Sequence, residues 1–133
     1  MDMPRLFTVE EANALLPRVR ELVVQMQARR QEAEEARQEF EQLDASKARG
    51  NGYDMKREQL ASRITDKMRA IRQSLEAIQE IGCQVKDIDM GLVDFPGLRN
   101  GEIVNLCWRL GEEKIEYWHT LNTGFTSRQP IDF

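Results

Sequence analysis

The chain is poor in the residues from which most recognisable active sites are built. Among its 133 residues it has one histidine, His119, and two cysteines, Cys83 and Cys107. Two thiols without framework spacing read as reduced cysteines, not as a disulfide scaffold. Long apolar runs are missing as well: stretches such as Leu22-Val23-Val24 fall far short of the roughly 18 residues a membrane helix needs. The opening Met1-Asp2-Met3-Pro4-Arg5 has no charged-then-apolar leader pattern, so a cytoplasmic protein without membrane association is expected. Positive charge is not in excess. A formal charge of -4 argues against nucleic acid as a partner. No glycine-rich phosphate loop is present, since Gly91, Gly97 and Gly101 punctuate hairpins and lead into no helix.

What is present is unevenly distributed. Residues 9–82 carry 14 acidic and 13 basic side chains but only two aromatics, Phe40 and Tyr53, whereas residues 83–133 carry six aromatics and five of the eight glycines. Helix composition followed by strand-and-turn composition predicts an α+β fold. The expectation is a single domain over 1–133, a long antiparallel helical hairpin over 8–82 followed by a small antiparallel β-sheet of three to four strands over 83–133.

Thr8 and Glu11 have the form of a capping box, with Phe7 and Ala12 placed as a hydrophobic staple. Pro17 predicts a kink or break, because proline lacks a backbone donor and disfavours helical geometry at Leu16. Across it, Ala12, Leu15, Val19, Leu22, Met26, Ala33, Ala36, Phe40 and Leu43 keep a heptad phase. A turn is expected over 48–54 around Gly50-Asn51-Gly52, with arms over 17–47 and 55–81. The second stripe, Leu60, Ile64, Met68, Ile71, Leu75, Ile78 and Ile81, ends at Gly82. Residues 32–44 hold six acids against one base and residues 54–72 three acids against six bases, so flanking ion pairs would set an antiparallel register. The basic stripe Lys56, Arg57, Arg63, Lys67, Arg69 and Arg72 is accordingly read as a charged helix face answering the acidic arm, and Met26, Met55 and Met68 as core filler. A sheet this small cannot cover both arms, which leaves Phe40, Leu43, Tyr53 and Leu60 as an apolar edge for self-association. A homodimer through a four-helix contact is expected, and the same edge would suit a protein partner.

In the second half, strands are predicted over 85–88, 92–95, 103–110 and 114–121, with turns at Pro96-Gly97, Asn100-Gly101 and Gly111-Glu112. A two-residue or four-residue loop at Gly111-Glu112 puts Val104, Leu106 and Trp108 on one face with Ile115, Tyr117 and His119, and Cys107 on the other with Trp118. A three-residue loop would reverse this. With Cys107 and His119 on opposite faces and no closely spaced ligand pair, neither a metal site nor a cofactor is expected. Cys107 reads as a buried, inert thiol. The remaining candidates are polar groups at strand ends: Asp94, Glu112, His119 and Arg128, beside Lys86 and Asp87.

The run Gly91-Leu92-Val93-Asp94-Phe95-Pro96, with Leu106-Cys107-Trp108, Gly111-Glu112, Trp118-His119, Gly124-Phe125 and Arg128-Gln129-Pro130-Ile131, resembles an uncharacterised bacterial family catalogued as domain of unknown function 2203. The opening Phe7-Thr8-Val9-Glu10-Glu11-Ala12-Asn13 and Leu15-Leu16-Pro17 fits its N-terminal pattern. The resemblance implies a small bacterial protein and brings no reaction, cofactor or partner with it. Two functions are therefore weighed. The preferred one is a non-enzymatic module, homodimeric, that captures a protein or a small ligand. The alternative is a small enzyme or a metal- or anion-binding site at the strand ends, with His119 as base, Asp94 or Glu112 as orienting or metal-binding carboxylate and Arg128 as anion clamp.

Overall fold

The computed structural model describes residues 4–46 and 50–133. Residues 47–49, which include the expected end of the first arm at Lys47 and part of the expected turn, lie outside the described residues.

Helix α1 spans Val9–Ala45. Its start is the expected capping box: the Glu11 amide donates to Thr8 Oγ1 at 3.1 Å and the Thr8 amide donates to Glu11 Oε1 at 2.9 Å. That backbone hydrogen bond from Thr8 is the first cause holding the Glu11 carboxyl below its usual range. The expected break at Pro17 does not occur, and α1 passes through it as one helix. Pro17 leaves only the Asn13 carbonyl without its helical donor, while Leu16 and Val19 on either side are buried and hold both flanks against the core. The buried stripe also includes Leu16 and Val23, outside the heptad seam. It is wider than a coiled-coil seam because α1 packs on both the second helix and the sheet, which needs a broad apolar face.

Helix α2, Tyr53–Ile81, returns antiparallel and stops at Gly82, whose amide donates to the carbonyls of Ile78 and Gln79. The charge pattern predicted from sequence is realised at two crossings, Lys67 to Glu32 at 2.6 Å and Arg57 to Asp44 at 3.2 Å. Other charges pair along their own helix, as Arg37 does with Glu34 and Glu41. The distal hairpin encloses part of the edge expected to be open: Leu60 is buried, Phe40, Leu43 and Tyr53 are half-buried, and the Arg57 guanidinium lies 4.9 Å over the Phe40 ring. Met26 is core, but Met55 and Met68 are exposed, contrary to expectation.

The sheet has five strands in sequence order, β1 Gln84–Asp87, β2 Leu92–Arg99, β3 Glu102–Arg109, β4 Tyr117–His119 and β5 Gln129–Pro130, with every neighbouring pair antiparallel. The β2–β3 turn is Asn100-Gly101, both at positive φ (51° and 83°) as a type I′ hairpin requires. Pro96-Gly97 is not a turn but lies inside β2. The Pro96 carbonyl accepts from the Phe7 amide at 2.7 Å, so the polar side of Pro96 points away from β3 and its missing N–H costs the β2–β3 ladder nothing. Gly97 lets Phe7 approach, because a Cβ there would meet the Phe7 carbonyl oxygen at 3.0 Å and Leu106 at 3.1 Å. One face of the sheet, with Val93, Phe95, Val104, Leu106, Trp108 and Trp118, packs against α1 and Ile78 of α2 to form the core.

Two substitutions test this assembly by urea unfolding. Thr8→Ala should cost about 1 kcal/mol by removing the cap, and Gly97→Val about 1–3 kcal/mol by overpacking. A Gly97→Val protein as stable as the parent would show that Phe7 is not seated on β2.

Candidate functional site

The outer face of the sheet carries the site, and the β3–β4 register creates it. Leu106 pairs with Trp118, Asn105 with His119 and Cys107 with Tyr117, while Asp94 pairs with Cys107 across β2 and β3. Directly paired residues share a face, so Asp94, Asn105, Cys107 and His119 all point outward together. The sequence-based expectation is thereby corrected: Cys107 and His119 are on the same face. The tight loop assumed at Gly111-Glu112 is instead the longer connection 110–116, with an odd number of residues. Its length has a physical cause. Ile115 is drawn into the core, and its amide donates to Asn13 Oδ1 on α1 at 2.7 Å, so β4 starts at Tyr117 and not at 114.

Although outward, these side chains are dry. Asp94 and His119 are each 3% exposed and Cys107 1%. The chain after β4 crosses back over them, so that Leu121, Thr123, Gly124 and Phe125 line a cavity of about 180 Å³ together with Lys86, Leu92, Asp94, Asn105, Cys107 and His119.

Within it His119 is fixed at both ring nitrogens. Nδ1 lies 2.8 Å from the Thr120 carbonyl oxygen, which can only accept, so Nδ1 carries a proton. That carbonyl is itself held in place, since the Thr123 amide and hydroxyl also donate to it at 3.3 and 3.2 Å. Nε2 faces the Asp94 carboxylate, 3.0 Å from Oδ1 and 3.1 Å from Oδ2. A neutral imidazole with its proton on Nδ1 would set a lone pair against a carboxylate. The pair therefore needs one positive charge between its members, from a proton or from another cation.

Cys107 completes a three-residue cluster. One ligand atom from each of Asp94, Cys107 and His119 lies within 4.8 Å of the others. Burial, and then the neighbouring Asp94 carboxylate, push the Cys107 thiol up to about 12, while the Arg128 guanidinium beside it pulls the other way. A thiol so held is not a ready nucleophile. Burial alone drives Cys83, on the core side, to about 12 as well.

Glu112 and Arg128 form a second unit. Arg128 Nη1 donates to both Glu112 oxygens at 3.0 Å, and the guanidinium lies 4.3 Å from the centres of both the Tyr117 and Phe125 rings. Glu112 also accepts from the Arg109 amide at 2.7 Å. Both groups are occupied in closing the loop and the covering segment, so Arg128 does not present a free anion clamp. Of the four residues singled out from sequence, then, Asp94 and His119 meet in the cavity, and Glu112 and Arg128 pair at its flank. Cys107 as a member of the cluster, and Thr120 and Thr123 behind the imidazole, were missed. An odd β3–β4 connection was the one signal that would have brought Cys107 in.

A family model described as an uncharacterized conserved protein (DUF2203) matches residues 5–131. No curated protein and no solved structure matches the chain. No described helix is long and apolar enough to cross a membrane.

Removing one partner of the buried pair should be costly: Asp94→Ala is expected to lose about 3–5 kcal/mol in urea unfolding. The thiols set an alkaline limit. Unfolded cysteines lose their protons from about pH 8.5, whereas the folded ones hold them to about 12. The stability they contribute is therefore complete below about pH 8.5 and lost as pH rises toward 12. Cys83→Ser should flatten the fall, and an unchanged slope would contradict the assignment.

Proposed function

Taking as premise that the chain belongs to this family of uncharacterised conserved proteins, we propose that it is a small-ligand-binding module, working by capture and not catalysis, whose ligand sits in the cavity on the outer sheet face against Asp94 and His119. The observation that carries this reading is the convergence of three buried, chemically versatile side chains, from three different strands, at one cavity. At about 180 Å³ it is smaller than the roughly 300–1,000 Å³ typical of cofactor and drug-sized pockets, which suits an ion or a very small polar molecule. Two features favour binding over chemistry: the Cys107 thiol is held protonated, and Arg128 and Glu112 are committed to each other. Free, buried thiols are in keeping with the proposed cytoplasmic location.

The single histidine makes the test direct. Ring signals of His119 in a ¹⁵N-labelled sample should move saturably with at least one of acetate, inorganic phosphate or zinc, each titrated separately to millimolar concentration. Ring signals indifferent to all three would defeat the reading.

We also propose, as a separate matter, that the distal hairpin self-associates into a homodimer. The sheet does not extend over it, and among the described residues of its distal half only Ala36 and Leu60 are buried apolar groups. Met55 and Met68 are exposed, and Phe40, Leu43 and Tyr53 half-exposed. Sedimentation equilibrium at micromolar concentration should give a dimer that Phe40→Glu with Leu43→Glu dissociates. A monomeric parent protein would refute this.

A further inference from the structure

We infer that Asp94, Cys107 and His119 constitute a binding site for one divalent transition-metal ion, zinc by its chemistry, with the remaining coordination position open to the cavity. The inference rests on the ligand-binding reading above and names the ligand.

The donor set is the first argument. A carboxylate oxygen, a sulfur and an imidazole nitrogen come from three adjacent strands, β2, β3 and β4, with no pair of ligand atoms more than 4.8 Å apart. Tetrahedral zinc with bonds of about 2.0–2.3 Å places its ligands roughly 3.3–3.7 Å from one another, so a pair at 4.8 Å closes the set when its two side chains share a movement of about 1.1–1.5 Å. Hard cations such as calcium and magnesium want six or more oxygens. A thiolate and an imidazole select a softer ion.

The orientation of the imidazole is the second. Nδ1–H donates to the Thr120 carbonyl, which is the outer hydrogen bond that metal-bound histidines commonly make and which leaves the Nε2 lone pair for the ion. That lone pair faces an acceptor, Asp94, at 3.0 Å. The cation this contact requires is supplied by the metal, which replaces the proton otherwise needed between the two.

Charge is the third. Binding releases the Cys107 proton, so the carboxylate and the thiolate together cancel the dication and the buried cluster becomes neutral. Burial penalises any other sum. Arg128 beside the sulfur is already balanced by Glu112 and leaves this account unchanged. Three protein ligands and one open position is the arrangement of zinc sites that bind an exchangeable fourth ligand, and the open position faces the cavity bounded by Leu121, Thr123 and Phe125.

The test uses cobalt(II) as a spectroscopic stand-in for zinc on full-length protein stripped with a chelator. One equivalent should bind with a thiolate-to-cobalt charge-transfer band that stoichiometric zinc removes. Cys107→Ser should abolish the band, whereas Cys83→Ser, which alters the thiol on the core side, should leave it. His119→Ala and Asp94→Asn should weaken binding at least tenfold, with circular dichroism confirming that each variant is folded. Should those variants not fold, the parent protein decides: one equivalent of zinc should shift His119 Nε2 more than Nδ1. No saturable binding at micromolar cobalt or zinc, or a band that survives in Cys107→Ser, would overturn the inference. Ring signals that answer to acetate or phosphate but not to zinc would overturn it while the ligand-binding reading stands. Silence with every probe would remove both.

Discussion

The register between β3 and β4 is the constraint on which the rest of the site depends. Because side chains alternate along a strand, a shift of one residue moves every side chain to the opposite face. Had β4 been displaced by one, His119 would join Leu106 and Trp108 in the core and Trp118 would lie outside. The register is held from a distance, by Ile115 entering the core and by Asn13 on α1 accepting the Ile115 amide at 2.7 Å. A residue in the second turn of the first helix thus decides which strand side chains meet on the far side of the sheet. The burial of Trp118 at the same time places a large apolar side chain inward, so the apolar driving force and the polar convergence favour the same alignment.

A polar cluster at under a tenth exposure needs a cover and a charge balance, and the cover is built from the end of the chain. The segment after β4 folds back over the outer face, with Phe125 and Arg128 stacked at its end and Arg128 tied to Glu112 in the β3–β4 connection. The loop that sets the register and the segment that closes the cavity are therefore fastened to each other. Asp94 and His119 sit beneath this cover with a need for one positive charge between them. Three side chains of different softness, a carboxylate, a thiol and an imidazole, are an unusual set for a merely structural network, where a hydroxyl or amide would satisfy the same hydrogen bonds without a buried charge. It is this chemistry that supports a bound cation as the natural completion of the cluster.

Much of the scaffold was legible because its signals are local. The Thr8–Glu11 capping box, the opposed charges of the two arms and the Asn100-Gly101 turn are each decided by residues a few positions apart or by a pattern over a whole helix, and each is found where expected. The departures have a common origin in tertiary contacts. Pro17 stays inside α1 because neighbouring residues on either side are buried, and Pro96 and Gly97 stay inside β2 because Phe7 docks against them. The two-residue β5 exists only through pairing with β4. Asp94 and His119 were legible as candidates from their residue types and from the strands expected to end close to them, although β2 runs on to Arg99 and leaves Asp94 inside it. Their meeting with Cys107 was not, since it turns on the length of one connection, and that length is set by where Ile115 is buried and not by the turn residues Gly111 and Glu112.

The central claim is that β2, β3 and β4 bring one oxygen, one sulfur and one nitrogen to a single ion. X-ray absorption at the zinc edge, on protein loaded with one equivalent, measures this directly. The account predicts one sulfur at about 2.3 Å with nitrogen and oxygen neighbours at about 2.0–2.2 Å. A shell of nitrogen and oxygen alone would place the ion away from Cys107, and two sulfurs would require Cys83 from the opposite face; either result would contradict it.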